Sequence, residues 1–228
     1  MTLEEFQTEL ELERTWREND IRFLHNLQEK LSSSKEREQL RRSIIGMHYA
    51  HIEGFSYFAF SLYAESINEL NLKCKEVKPA IAAASMHQIF STLRKGEKKN
   101  PLFKRSLPDD KKLHQACQEI DFIENINQVA EKKVKIPKEF INTENNVGPN
   151  VLRKLLYQMG LNHTDLDSIS SDLSRLLNIR NDIAHGKYKN GISDKDYESF
   201  KACFNTIISK LSSLINTAFS QKHYLLAS

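Results

Sequence analysis

The sequence predicts an all-α fold, and three observations favour it. Seven glycines and five prolines in 228 residues are too few for a β-sandwich or barrel, which needs a turn roughly every 8–12 residues. Apolar residues recur at spacings of three and four over long stretches, which is the period of a helix. Four segments begin with Ser or Thr followed three residues later by Glu or Asp, a pattern typical of helix starts. The sequence thus predicts long helices joined by few connections.

Two long helices are predicted at the N-terminal end. The first runs from about Thr2 to Leu31, and the spacing of its apolar residues suits one helix face. Those residues are Leu3, Phe6, Leu10, Trp16, Ile21, Leu24 and Leu27. The second helix begins after Ser33 and extends to about Leu72. Its predicted buried stripe consists of Leu40, Ile44, Ile45, Ile52, Phe55, Phe58, Leu62, Ile67 and Leu70.

The whole chain, residues 1–228, is predicted to be a single domain with an N-terminal helix over 1–32 and a basic insertion over 94–148. Within the insertion, Arg94–Lys112 contains eight basic and three acidic residues and is predicted to be a loop. The other predicted segments are, in order, a helix over Pro79–Leu93, a helix over Asp110–Lys133, an irregular stretch over Val134–Pro149, and helices over Val151–Met159, Thr164–His185 and Ser193–Leu226.

Charge and composition exclude several classes of protein. A net charge of +3 is too small to identify a nucleic-acid binder by itself, and no apolar run reaches the roughly 20 residues of a membrane span. Three widely spaced cysteines without a CxxC pair predict neither a disulfide framework nor a zinc site. With no glycine-rich phosphate loop and no HExxH pattern, neither an NTPase nor a metal or other cofactor is predicted. The acidic N-terminus does not resemble a signal sequence, so a cytoplasmic location is expected.

One stretch contains the residue types of an active site. Residues 180–186 read Arg-Asn-Asp-Ile-Ala-His-Gly, at the end of a predicted helix. Arginine binds phosphate through two parallel hydrogen bonds and keeps its charge, while histidine can take or give a proton at neutral pH. Arg180 and His185 lie about 140° apart on an ideal helix, so they converge only if the helix ends at His185 or if two subunits meet. The alternative is a helix C-terminus stabilised by Arg and His and stopped by Gly186.

This stretch resembles the R-x4-6-H motif of the HEPN superfamily, including the polar residue that often follows the arginine. Residues 49–55, Tyr-Ala-His-Ile-Glu-Gly-Phe, resemble the earlier helix signature of a prokaryotic branch of HEPN-like nucleases. The order of elements is also similar: a long helix with the Tyr49–Phe55 segment, an insertion, the R-x4-H helix and a closing helix. The resemblance covers roughly residues 35–90 and 150–220.

The resemblance implies an α-helical bundle that dimerises so that two R-x4-H motifs line one cleft. It also implies a metal-independent endoribonuclease, often a toxin or an anti-phage effector, that leaves 2′,3′-cyclic phosphate ends. By position, His185 would be the general base or acid, Arg180 the phosphate clamp and Asn181 a supporting polar residue. Glu53 would face the cleft and orient Arg180, or else form a structural pair with it. Lys187 occupies the position of a tyrosine that related toxins use for regulation by nucleotidylation, so that control is not predicted here.

The remaining expectations concern partners. RNA, possibly tRNA, would contact Arg42 and Lys187 near the motif, and a basic part of the insertion made of Lys98, Lys99, Lys104 and Arg105, although such a run is also typical of a solvated loop. A homodimer is expected, together with an antitoxin or another defence-system protein. The alternative function is a non-catalytic HEPN module that binds a nucleotide or a protein partner through the same cleft.

Overall fold

The structure is an all-α bundle with a helical insertion. The computed structural model describes residues 1–95, 99–103 and 111–226. Over these residues the chain forms nine α-helices and no β-strand, which confirms the predicted fold class. The helices are α1 (Leu3–Glu29), α2 (Ser34–Glu69), α3 (Pro79–Ser85), α4 (His87–Lys95), α5 (Lys111–Glu124), α6 (Ile126–Ala130), α7 (Pro149–Gln158), α8 (Ser170–Ala184) and α9 (Asp194–Ser220).

The central element is α2, because α1, α8 and α9 all pack against it. Most of the stripe predicted to be buried on α2 is indeed buried, and Ile45, Ile52 and Phe55 have no exposed surface at all. At the end of the stripe, Leu70 caps the helix and is 37% exposed. One hydrophobic core extends from α1 to the segment that follows α9. Because α2 lies within this core, it holds the helices packed against it in fixed positions.

The predicted helix starts are correct at three of the four sites. The Thr2 hydroxyl accepts a hydrogen bond from the backbone of Glu5 at 3.1 Å, and the Glu5 carboxylate returns one from Thr2 at 2.7 Å. Ser33 and Ser193 cap α2 and α9 in the same way. The start predicted at Thr164 is wrong, since the Thr164 hydroxyl bonds to Asn162 in a turn. There α8 begins only at Ser170, after a 3₁₀ turn over Asp167–Ile169.

The segment from Pro79 to Lys133 differs from its prediction in three places. The helix predicted over Asp110–Lys133 is divided at Asn125 into α5 and α6. The helix predicted over Pro79–Leu93 is broken at Met86, because α3 packs against α7 while α4 packs against α5. The loop predicted from Arg94 starts later, since Arg94 and Lys95 form the last turn of α4, where basic side chains are favoured. The irregular stretch after α6 is confirmed, and it buries four apolar side chains: Val134, Ile136, Ile141 and Val147. At the C-terminal end, α9 stops at Ser220, before the predicted Leu226.

The face predicted on α1 is only partly correct. Phe6, Leu10 and Ile21 are buried. However, Leu3, Trp16 and Leu27 are 42%, 47% and 42% exposed. On a helix with 100° per residue, Trp16 points about 120° away from Leu10, and Leu27 points about 120° away from Ile21. The polar side chains Arg17 and Gln28 take the buried positions instead.

Candidate functional site

The R-x4-H segment lies where α8 ends. The last helical residue is Ala184, and His185 follows with φ −87° and ψ 7° while its backbone N–H bonds to the Asn181 carbonyl at 2.9 Å. Gly186 then takes φ +68°, a left-handed conformation that glycine adopts without strain. The chain therefore leaves the helix at the histidine, so the side chain of His185 is not restricted to the face that an ideal helix would give it.

The guanidinium group of Arg180 is held against α2. Its central carbon lies 4.6 Å from the centre of the Tyr49 ring, a cation–π arrangement, and its Nη1 donates to the side-chain oxygen of Asn181 at 2.9 Å. Tyr49 itself is completely buried, and its hydroxyl donates to the Val147 carbonyl at 3.2 Å. The position of the arginine thus depends on an aromatic ring that the core and the insertion fix from both sides.

Glu53 lies one turn beyond Tyr49 on the same edge of α2. Burial raises the pKa of this carboxyl, while the positive charge of Arg180 and the hydroxyl of Thr143 oppose the shift. In the described part of the chain no ion pair joins Glu53 to Arg180. Burial also raises the pKa of Tyr49 to about 12, so the phenol remains protonated. The charge of Arg180 therefore acts on the Glu53 carboxyl, while Tyr49 and Asn181 contact the guanidinium group directly.

His185 is exposed at the end of α8, and across the described residues its side chain makes no hydrogen bond. The loop behind it is anchored to the start of α2. Nη1 of Arg42 donates to the Lys189 carbonyl at 2.7 Å, and the Ile192 N–H bonds to the Glu38 carbonyl at 3.0 Å. The histidine is therefore accessible to a large substrate while its backbone is held in place.

Basic groups cluster at this end of the bundle. Arg42 is half-buried, and Lys187 and Lys189 are exposed, so these cations can meet an anionic ligand beside Arg180 and His185. Of the other predicted RNA contacts, Lys99 is exposed, and Lys98, Lys104 and Arg105 lie outside the described residues. The structure therefore groups two of the predicted cations with the motif and leaves the insertion cluster unplaced.

One cavity among the described residues has no residue of the motif in its wall. It lies between α3, α4 and α7 and has a volume of about 980 Å³. Its wall combines cationic with aromatic side chains, namely Lys78, Arg94, Lys154, His87, Phe90, Phe140 and Tyr157. Asn142 lines the cavity and the next residue, Thr143, contacts Glu53, so the irregular segment of the insertion separates the cavity from the motif.

Gly54 in the α2 segment leaves room for the side chain of Arg17 from α1. A Cβ atom at this position would lie 2.7 Å from Nη1 of Arg17, so a larger residue would displace the guanidinium group. The same guanidinium group reaches Nδ1 of His51 at 3.3 Å, and Nε2 of His51 lies 2.8 Å from a carboxylate oxygen of Asp20. One edge of the Tyr49–Phe55 segment therefore supports Arg180, and the other edge binds α1.

Sequence reasoning missed several of these contacts. It did not predict that Tyr49 supports the Arg180 guanidinium, although the spacing of four between Tyr49 and Glu53 already placed both on one helix edge. It also missed Thr143 and Val147, because no local pattern shows where an irregular segment packs.

Within the described residues no three His, Cys, Asp or Glu side chains gather as metal ligands, and none of the helices there has the length and apolarity of a membrane span.

The all-α bundle, with an Arg-x4-His segment at the end of α8, is consistent with the HEPN class of proteins. A family model described as RiboL-PSP-HEPN matches residues 12–217, and the chain belongs to this family. HEPN superfamily membership is generally linked to RNase activity and to RNA-related modules. No curated protein matches the chain, and no solved structure matches it.

Proposed function

We propose that the protein is a metal-independent endoribonuclease with Arg180 and His185 in its active site. The observation that carries the proposal is the arrangement at the end of α8. There the guanidinium group of Arg180 is fixed on the buried ring of Tyr49, and His185 follows where the helix ends, exposed and held by its backbone. A fixed cation beside an accessible proton-transfer group is what cleavage of a phosphodiester requires.

In the proposed reaction, the ribose 2′-oxygen forms a bond to the adjacent phosphorus as the bond from phosphorus to the 5′-oxygen breaks. As general base, His185 takes the proton of the 2′-hydroxyl while water protonates the leaving 5′-oxygen; as general acid, His185 protonates the 5′-oxygen while water takes the 2′ proton. Arg180 stabilises the charge that develops on the phosphoryl oxygens. Asn181 and Glu53 act as positioning residues for Arg180. The products are a 2′,3′-cyclic phosphate and a free 5′-hydroxyl.

RNA would approach the basic end of the bundle, where Arg42 and Lys187 lie near the motif. The insertion, with Lys98, Lys99, Lys104 and Arg105, would supply further phosphate contacts. The cavity between α3, α4 and α7 adds exposed Tyr157, on which a base can stack. Binding through several phosphates should weaken steeply with added salt. In the cell we expect a cytoplasmic toxin or defence effector, acting as a homodimer and neutralised by an antitoxin or another defence protein.

The test is cleavage of total tRNA and of a mixed single-stranded RNA by purified protein in the presence of EDTA. Wild-type protein should produce fragments with cyclic-phosphate ends, and His185→Ala and Arg180→Ala should not. Arg175→Ala and His223→Ala are the matched controls, since they remove an arginine of the same helix and an exposed histidine of the C-terminal segment. Both controls should cleave like the wild type.

Two results would count against the proposal. Cleavage that survives both His185→Ala and Arg180→Ala would indicate a contaminating nuclease or another site. RNA that is bound but not cut, with binding lost in Arg180→Ala, would instead support the non-catalytic binding module.

Tyr157→Ala in the same assays tests whether a base stacks in the cavity. If it does, this substitution should raise KM without changing kcat.

A further inference from the structure

The cavity between α3, α4 and α7 has the size of a site for a small ligand. Its volume of about 980 Å³ lies at the upper end of the range for small-molecule sites, roughly 300–1,000 Å³. Small residues line it where α3 and α7 meet, namely Ala80, Ala83 and Gly160. Gly160 has φ +69°, and a Cβ atom there would lie 3.3 Å from Cδ of Lys78. The short side chains therefore leave room between the two helices.

One buried polar atom in the wall of this cavity lacks a partner. Gln158 is the last residue of α7 and lines the cavity. Its Oε1 is shielded from solvent, and among residues 1–95, 99–103 and 111–226 no group donates a hydrogen bond to it. A buried acceptor without a donor is costly and rare, so a ligand with an N–H group would satisfy it. Side-chain amides bind the edge of a nucleobase in this way, and the pairing of Gln with adenine is a common example.

Aromatic side chains from three elements line the same cavity. They come from α4, from the irregular stretch after α6 and from α7, and they are Phe90, Phe140 and Tyr157. Tyr157 is 70% exposed, so its ring is open to a ligand. Aromatic rings stack on nucleobases of every kind. An open aromatic ring beside a buried amide acceptor therefore favours a flat ligand with hydrogen-bonding groups at its edge, which describes a nucleobase.

The charges around the cavity favour an anion. Three cations and one carboxylate belong to its described lining, namely Lys78, Arg94, Lys154 and Glu139. The ammonium groups of Lys78 and Lys154 already donate to backbone carbonyls of the cavity wall, at 2.9 and 2.8 Å. Arg94 is exposed in the last turn of α4, and within the part of the chain that the structure describes it makes no hydrogen bond or ion pair. Its guanidinium group is available to a phosphate, which arginine binds through two parallel hydrogen bonds.

We propose that this cavity binds one nucleotide, with the base stacked on Tyr157 and hydrogen-bonded to Gln158 and the phosphate on Arg94. The inference rests on the proposed function only where that function assigns a base to this cavity. It does not need the R-x4-H motif, since no residue of the motif lines the cavity. A free mononucleotide and one unpaired nucleotide of an RNA chain share this chemistry, and titrations with each distinguish the two.

Isothermal titration calorimetry with AMP measures this binding directly. The wild-type protein should bind AMP with a dissociation constant on the order of 10 µM, a usual affinity for a ligand of this size. Adenosine lacks the phosphate and ribose 5-phosphate lacks the base, so each should bind about tenfold more weakly or worse. GMP, CMP and UMP are titrated in the same way. If none of the four nucleotides bound at about 1 mM, the inference would be overturned.

Gln158→Met is the most specific variant, because it keeps the size of the side chain and removes the amide. It should weaken AMP binding about tenfold. The stability of the free protein should stay the same or rise, since the unpaired acceptor is gone. Gln88→Met is the matched control, because Gln88 is exposed on α4 and does not line the cavity. A Gln158→Met protein that binds AMP like the wild type, or that is much less stable, would mean that the amide serves the fold.

Two further variants test the positions of the base and the phosphate. Tyr157→Ala should weaken AMP binding about tenfold or more, and Tyr57→Ala, which removes a tyrosine 44% exposed on α2, should not. Arg94→Ala should weaken the binding of AMP and leave that of adenosine unchanged, because adenosine has no phosphate. Lys95→Ala is its control, since this neighbouring cation does not line the cavity. An equal loss for AMP and adenosine in Arg94→Ala would contradict the position assigned to the phosphate.

The source of the nucleotide is tested with a short oligoadenylate and the His185→Ala protein, in which RNA should stay intact. An oligoadenylate that displaces AMP and binds more than about tenfold more tightly identifies RNA as the source, since further phosphates then contribute. AMP that binds as tightly as the oligoadenylate identifies a free mononucleotide. Both results support the cavity as a nucleotide site.

The outcomes separate this inference from the nuclease proposal. AMP should bind equally to the wild type, His185→Ala and Arg180→Ala. Binding that is lost in Arg180→Ala and retained in Gln158→Met would place the nucleotide at the R-x4-H motif and overturn the inference. AMP binding in the cavity without RNA cleavage supports the inference and rejects the nuclease, whereas RNA cleavage without AMP binding does the reverse.

Discussion

The two segments that carry the HEPN resemblance differ in burial. In the Tyr49–Phe55 segment, Tyr49, Ile52 and Phe55 have no exposed surface, and the polar side chains between them bind α1 or face α8. In the Arg180–Gly186 segment, burial decreases along the chain from half-buried Arg180 to exposed His185. In the proposed nuclease this difference corresponds to a division of roles, in which α2 would fix the position of the arginine and the end of α8 would present the reacting groups to RNA. Substitutions in the two segments should therefore affect different properties.

The largest expected effect is a loss of activity when His185, in the exposed segment, is substituted. His185→Ala should lower the rate of RNA cleavage by roughly 100-fold to 10,000-fold, the usual contribution of a general acid or base. The free energy of unfolding should change by less than about 0.5 kcal/mol, because an exposed side chain without a partner stabilises little. Single-turnover cleavage and urea denaturation of the same preparation measure the two quantities. A loss of activity that accompanied a large loss of stability would contradict the division of roles.

Tyr49→Ala, in the buried segment, should lower the stability of the protein much more than His185→Ala does. Removing a fully buried aromatic ring typically costs about 3–5 kcal/mol of stability, and it also removes the support of the Arg180 guanidinium. Tyr49→Phe keeps the ring and deletes only the hydrogen bond to Val147, so it should cost about 1 kcal/mol and retain cleavage. Urea denaturation gives both values. If Tyr49→Ala were as stable as Tyr49→Phe, the ring would not be part of the core.

The three long helices α1, α2 and α9 were predictable from local patterns because each begins at a conventional cap. Thr2, Ser33 and Ser193 all cap helices as their sequence patterns predict, and the core positions of α2 follow the helical period. Thr164 carries the same pattern, but the backbone N–H of Asp167 bonds to the Thr164 carbonyl and not to its hydroxyl, which donates to Asn162. The same local pattern therefore forms a turn at this position instead of a helix start.

The site was predictable in part. The motif selected Arg180 and His185 as candidates, and Gly186 correctly marked the end of the helix. The contacts that fix Arg180 come from residues distant in sequence, since Val147 lies 98 residues from Tyr49. Spacing along one helix does not contain such information. The exposure of Leu3, Trp16 and Leu27 on α1 was missed for a related reason, because the spacing of apolar residues along a helix does not show which of them meet the core.

A third effect is expected on stability at acid pH, and it depends on His48, the buried residue that precedes Tyr49. Its ring is stacked on Phe204 with centres 5.1 Å apart, and among the residues that the structure describes neither ring nitrogen has a hydrogen-bond partner. Burial lowers the pKa of His48 to about 3, so the folded protein keeps the ring neutral while the unfolded chain takes a proton below pH 6.5. Stability should therefore fall as the pH drops from 6.5, by about 2 kcal/mol at pH 5.

Urea denaturation at several pH values tests this prediction. His48→Phe keeps the stacked ring and removes the titration, so its stability should change less between pH 6.5 and pH 5 than that of the wild type. His223→Ala, which removes an exposed histidine, should keep the slope of the wild type. Parallel curves for wild type and His48→Phe would mean that another group causes the acid sensitivity.

The smallest expected effect lies at Glu53, where the buried and exposed parts of the site meet. Burial raises the pKa of Glu53 above its ordinary value of 4.5, so the folded state holds a proton that the unfolded chain releases. The sign is opposite to that of His48, because stability falls as the pH rises through this window. Since the carboxyl is partly exposed and screened, the fall should be less than about 1 kcal/mol. Glu53→Gln should remove it, and Glu119→Gln on the exposed side of α5 should not. Equal slopes in all three proteins would place Glu53 in solvent and would leave Tyr49 and Asn181 as the groups that position Arg180.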